Sequence, residues 1–245
     1  MKLKLSFVAL VAGLSAAALA APPKRTSAPS TRGAVPKPDT APPRLYDFKG
    51  IPLEISLADF KVRPHPDGTD ATVLCTGDKF ANYSGILEEP FMVRIYDDVE
   101  KSLGVKRCYY NERGKGANYA ASMTLAASGY SLKDYGFYFI KDPNDGVEKL
   151  FRFDGTAHHN VASDVLQALT SKFGAPKIVL NKVQNKMGAS FDHTTAVWSN
   201  PLAEFEFEDR YTTIDDMGIL MMDKRLSAIV SLAKAAKKAA TPNAI

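Results

Sequence analysis

Tyr135-Gly136-Phe137-Tyr138-Phe139-Ile140 and Val147-Glu148-Lys149-Leu150-Phe151-Arg152-Phe153 stand on either side of Asp142-Pro143-Asn144-Asp145-Gly146. Two aromatic, β-prone runs around this turn chemistry predict a β-hairpin, because proline, asparagine, aspartate and glycine supply backbone angles that strand residues avoid. Further short strands are expected at 72–75, 91–96, 105–110 and 122–126, and again at 178–183, 194–198, 203–208 and 218–222. In Glu204-Phe205-Glu206-Phe207-Glu208 the alternation is unbroken, so both phenylalanines face a core and the three glutamates face water.

Helices punctuate these strands. Ser56 with Asp59 three residues on makes a capping box, and Pro64 and Pro66 end that helix within two turns. Val161, Val165, Leu166, Leu169 and Phe173 form one apolar stripe, with Asn160 as the expected cap and Gly174 and Pro176 as the stop. A last helix over 225–240 carries Leu226, Ile229, Val230 and Ala233 on one side. Lys234, Lys237 and Lys238 lie near its end, where cations suit the dipole. Strand, helix, proline break and strands occur twice, from Phe48 through Phe60 to Pro64 and from Phe151 through Phe173 to Pro176. The expected fold is α+β over 45–223: an antiparallel sheet with helices packed on one face, a weak internal duplication and a basic C-terminal helix and tail over 224–245.

The cadence of a helix, Phe173-Gly174-Ala175-Pro176, a strand, Trp198 in the next strand and then an amphipathic strand resembles small exported bacterial domains. These are of the outer-membrane assembly lipoprotein type and the β-lactamase-inhibitor-protein type; uncharacterised proteobacterial periplasmic proteins are similar. The resemblance covers 155–223 clearly and 45–110 faintly. It implies helices against one face of an antiparallel sheet, sometimes in tandem. The chain lacks the lipid-bearing cysteine of the assembly lipoproteins, and no functional residue carries over.

The N-terminus agrees with export. Lys2 and Lys4 precede an apolar run that ends in Ala18-Leu19-Ala20, a small-x-small cleavage pattern. Residues 1–20 are therefore expected to be a signal peptide cut between Ala20 and Ala21, with the product in the periplasm or outside the cell. No later stretch approaches the roughly 18 apolar residues of a membrane span. Residues 21–44 hold seven prolines and should be an extended tether.

The formal charge of +4 divides unevenly. Lys24, Arg25, Arg32, Lys37 and Arg44 against Asp39 give the tether +4. Lys224, Arg225, Lys234, Lys237 and Lys238 give the C-terminal segment +5, whereas the body over 45–223 has 19 basic and 26 acidic residues. The basic ends could touch anionic envelope polymers or headgroups. A nucleic-acid partner is not expected of an exported chain with an acidic body.

Cys75 and Cys108 are the only cysteines. In an oxidising compartment the pair reads as a disulfide, worth about 3–4 kcal/mol on the chain-entropy model. Two free thiols or a metal pair are the alternatives.

The remaining chemistry is sparse. His65, His158, His159 and His193 show no HxxxH or HxH spacing, so no metal or cofactor is expected. Ser163, Ser190 and Ser199 lie in no nucleophile elbow. Gly114-Lys115-Gly116 is not a phosphate-binding loop. Asp97-Asp98 and Asp215-Asp216 read as solvated turns. Tyr109, Tyr110, Tyr119, Tyr130, Tyr135, Phe137, Tyr138 and Phe139 could form an exposed binding face, although strand alternation buries about half of such a set. The favoured reading is a non-enzymatic binding or accessory module that contacts a protein of the envelope. The alternative is an envelope-directed hydrolase whose loops bring Asp154, His158, Asp192 and His193 into one cleft.

Overall fold

The hairpin forms at Asp134–Lys141 and Glu148–His158, at the middle of an eight-stranded antiparallel sheet. The structure is a computed structural model that describes residues 44–81, 85–125, 130–132 and 134–240. The expected signal peptide, with its expected Ala20–Ala21 cleavage site, and all but the last residue of the expected tether lie outside the described residues. In chain order the strands of the sheet are β1 (Ala71–Cys75), β2 (Lys106–Glu112), β3 (Asp134–Lys141) and β4 (Glu148–His158), then β5 (Lys177–Gln184), β6 (Ser190–Ser199), β7 (Ala203–Glu208) and β8 (Asp216–Asp223). Their order across the sheet is β1-β2-β3-β4-β8-β7-β6-β5.

This order is two four-stranded meanders that meet where β4 pairs antiparallel with β8. A helix precedes each meander: α1 (Leu57–Lys61) before β1, and a longer helix, Ala162–Phe173, before β5. The same helix-then-meander order therefore occurs twice, and the strand order is symmetric about the β4–β8 pair.

Local chemistry explains the elements. Ser56 caps α1 by accepting from the Asp59 amide at 3.0 Å, and its hydroxyl donates to the Asp59 carboxylate at 2.6 Å. In the β3–β4 turn, Asp142 accepts from the Asn144 amide, and Gly146 takes a φ of +75° that a side chain would resist. A register shift between Leu150 and Arg152 puts Phe151 and Arg152 on the same face of β4. Asn160 does not cap the second helix: a 3-10 turn over His159–Val161 leads into it, and Val161 occupies the cap position without a side-chain bond. Gly174, with φ +87°, ends it.

Residues 91–96 are not a strand. Pro90 opens a 3-10 turn, Phe91–Val93: the Val93 and Arg94 amides bond back to Pro90 and Phe91, and the Phe91 amide donates to the Asn118 side chain, so these amides do not enter a ladder. Asp97 then caps α2 (Asp98–Ser102), an element the sequence pattern did not signal. With α2 counted, the Ala162–Phe173 helix is α3 and the C-terminal helix, Lys224–Ala240, is α4.

Phe137, Phe139, Phe153, Phe205, Phe207, Trp198 and Leu169 are buried in one cluster with Phe60 of α1, and Phe173 packs against it. That face of the sheet belongs to α1 and α3, as the apolar stripe predicts. The sequence expectation of helices on one face is incomplete, because α4 lies on the other. Its Leu226 and Val230 pack on Tyr138, Ile140 and Phe151, which strand alternation and the β4 bulge turn away from the main cluster. Asp142 fastens α4 there. It accepts two hydrogen bonds from Arg225, at 2.9 and 2.8 Å, and one from Lys149 at 2.9 Å.

Cys75 and Cys108 are direct cross-strand partners of β1 and β2 and are disulfide-bonded. Both are fully buried.

Candidate functional site

The two faces of the second meander differ sharply. On the face toward α3, Ala196, Trp198, Phe205, Phe207, Ile219 and Met221 are 0–4 % exposed. On the other face Thr195, Val197, Glu204, Glu206, Glu208, Leu220 and Met222 are only half-buried. Among the described residues no helix seals this stretch; α4 leaves the sheet directly from β8 and packs on α2 and β4.

The register sets these side chains in rows across the strands. Tyr138, Arg152, Met222, Glu204 and Ser199 form one row. Gly136, Asp154, Leu220, Glu206 and Val197 form the next, and Asp134, Thr156, Gly218, Glu208 and Thr195 the third. Read across, the face has an ion-paired aromatic side on β3 and β4, an aliphatic middle on β8 and an acidic row on β7.

Two glycines shape it. A Cβ on Gly136 would stand 2.7 Å from Arg107 Nε and 2.8 Å from the Tyr138 ring, so glycine is what lets that ring and guanidinium lie flat on the sheet. A Cβ on Gly218 would meet Tyr211 Cγ at 2.5 Å, so the 209–215 loop reaches over β8 only because position 218 is bare.

Arg152 centres the ion-paired side. Its guanidinium lies 3.8 Å from the Tyr138 ring centroid and donates to Glu100 of α2 at 2.8 and 3.2 Å. Lys234 of α4 also donates to Glu100, at 3.3 Å. Burial by itself would raise the Glu100 carboxyl, but Arg152 and Lys234 overcome it and hold it below the usual range. Arg107 donates to Asp134 at 3.0 Å. Burial pushes the Asp154 carboxyl up against the opposing pull of Arg152 and Arg107, and it pushes the Tyr138 hydroxyl up to about 12. On the acidic row, burial and then Glu208 and Glu204 raise Glu206. The row repels further negative charge and suits a surface that brings apolar contacts and cations.

The four residues of the hydrolase alternative do not come together. Asp154 is on β4 and points into the face just described. Asp192 and His193 lie within β6, not in a loop before it, three strands away from β4. Asp192 is exposed and tied to Lys182 at 2.7 Å. His193 contacts Asp209 at 3.2 Å instead, and His159 donates to the Asp209 carbonyl. His158 ends β4 opposite Asp216. His65 is a core histidine packed edge-on to Tyr110, its basicity lowered by burial. Among the described residues no group of three or more histidine, cysteine, aspartate or glutamate side chains is placed to hold a metal.

The aromatic set is core rather than a binding face: Tyr109, Tyr110, Tyr135, Phe137, Tyr138 and Phe139 are buried, and only Tyr119 and Tyr130 are exposed. Asp97 is a helix cap held at about 2 by Lys234 and by the amides it accepts from. Compared with known proteins, the chain matches no family model, no curated protein and no solved structure.

Sequence reading missed Arg152, Glu100, Arg107 and Tyr211 as members of one surface. The signal present was Arg152-x-Asp154-x-Thr156, polar side chains alternating through a strand that is otherwise core. Alternation cannot say that β8, more than 60 residues on, lies beside that strand.

Proposed function

We propose that this protein is an exported, non-enzymatic binding or accessory module that holds a protein partner against the uncovered face of β6, β7 and β8. The observation that carries the reading is the contrast between the two faces of one sheet. One is sealed by aromatic packing. The other offers Val197, Leu220 and Met222 beside a row of three glutamates, the apolar centre and charged flank on which protein contacts are built. The buried disulfide agrees with an oxidising compartment, and none of the described helices is long and apolar enough to cross a membrane. The partner the face fits brings apolar side chains to β8 and lysine or arginine to β7.

Charge placed on the apolar positions of this face tests this. Leu220→Asp and Val197→Asp should abolish complementation of a knockout in a protein that still folds by circular dichroism. Full complementation by both variants would refute the docking face. Replacing His158, His159 and His193 together by alanine should preserve complementation; loss with the fold and partner binding intact would favour acid–base or metal chemistry instead.

A further inference from the structure

The strand order is symmetric about the β4–β8 pair, so β1 and β5 hold equivalent places, each the first strand of its meander and each an outer edge of the sheet. They are not treated alike. β1 is half-buried along its length and anchored by the disulfide. β5 is exposed at every position except Val183.

An edge in water normally alternates apolar and polar residues, carries charged side chains such as lysine, or is broken by proline, a bulge or a covering loop. β5 carries Lys177 and Lys182, but no proline or bulge interrupts it. Its register with β6 runs unshifted from Lys177 to Gln184, and Lys182 is engaged by Asp192. Ile178, Val179 and Leu180 are consecutive, so they lie on both faces of the strand, at 46, 38 and 74 % exposure. A continuous aliphatic run is the pattern of a strand whose side chains are covered on both faces.

We propose that β5 pairs antiparallel with β5 of a second copy of this chain, about a two-fold axis perpendicular to the sheet that passes beside Leu180. Such an axis keeps each face on its own side, so the two residue numbers in every pair sum to an even number. With Leu180 opposite Leu180 of the second copy, Ile178 meets Lys182, Val179 meets Asn181 and Lys177 meets Val183. No cation faces a cation directly, and both lysine stems cover an aliphatic side chain. An axis at Lys182 would oppose two cations. The strand thus provides apolar cover for its own apolar residues on both faces, which is why the occupant is a second copy.

The pairing is independent of the partner held on the sheet face. It would place the uncovered faces of both copies on the same side of one continuous sheet. The contact is small by the standard of permanent dimers, so it should be concentration-dependent.

Sedimentation equilibrium of the purified, oxidised protein from micromolar to submillimolar concentration tests it. The weight-average mass should rise toward twice the monomer value. Leu180→Lys should hold it at the monomer value throughout, with an unchanged circular dichroism spectrum. Leu180→Cys should give a disulfide-linked dimer on mild oxidation, the native pair being buried. Leu232→Cys, on an exposed position of α4, should not. A monomer at all concentrations, a dimer that survives Leu180→Lys, or equal cross-linking at positions 180 and 232 would each overturn the proposal.

Discussion

Arg152 of β4 and Glu100 of α2 meet through two hydrogen bonds of 2.8 and 3.2 Å, on the face of the sheet opposite the main core. The Glu100 side chain is 5 % exposed and that of Arg152 20 %. The pair and its cation–π stack on Tyr138 fix where the packed half of this face ends and the uncovered half begins. Glu100→Ala should therefore cost about 2–3 kcal/mol in denaturant melts, the range for losing charge-assisted bonds around a guanidinium that keeps some access to water. A loss below about 0.5 kcal/mol, typical of surface substitutions, would show the tie to be ornamental.

The pH dependence of that contribution has a definite sign. The Glu100 carboxyl is held below its unfolded value by Arg152 and Lys234 against the effect of burial. Its contribution is present above the unfolded carboxylate range and is lost as pH falls through the folded value. The difference in stability between the native protein and Glu100→Gln should be largest at neutral pH and shrink in acid. A difference that grows in acid would contradict it.

Glu206 has the opposite sign. Burial and then Glu208 and Glu204 raise its carboxyl, so the folded state holds its proton more tightly than the unfolded chain does. Stability from this group falls as pH rises between the unfolded and folded values. Glu206→Gln should stabilise the protein at neutral pH, by less than about 1 kcal/mol for a half-buried carboxylate whose like-charged neighbours lie two residues away on its own strand. The gain should vanish below the unfolded carboxylate range. A lower melting temperature at neutral pH would refute the repulsive row.

Gly218→Ala should destabilise by about 1–3 kcal/mol, because the new methyl would stand 2.5 Å from Tyr211 Cγ. The cost should largely disappear when Tyr211 is also glycine, because alanine would keep a Cβ 2.9 Å from the new methyl. An equal cost in both backgrounds, measured as a double-mutant cycle, would mean that the tyrosine is not what occupies the space over β8.

Leu169→Ala should cost roughly 2–5 kcal/mol, since Leu169 is buried beneath α3 with Phe205 and Trp198. A cost under about 1 kcal/mol would show that the stripe does not carry the core.

Sequence and structure part company along a physical line. The turn at Asp142–Gly146, the Ser56 cap, the α3 stripe and the alternation at 204–208 are decided within a few residues, and they stand where the sequence places them. Residues 91–96 share strand composition, but Pro90 turns their backbone bonds inward. The bulge at Phe151 moved Phe151 and Arg152 to one face, which no alternation rule reveals. The pairing of β4 with β8, which creates the candidate face, and the seating of α4 opposite α3 depend on contacts far apart in the chain. The acidic row was legible as a water-facing row, whereas its ion-paired border was not, because Arg152 meets Glu100 across 52 residues.

The central claim is that a protein partner rests on the uncovered face of β6, β7 and β8. Its most direct test is site-specific photocross-linking in the native envelope, with a photoreactive residue at Leu220 or Val197 and, as a control, at Leu232 on α4. A discrete heavier adduct at positions 220 and 197, suppressed by Val197→Asp in the Leu220 probe and absent at 232, is the predicted result. Adducts at 232 but none at 220 or 197, under conditions where the protein complements, would contradict it.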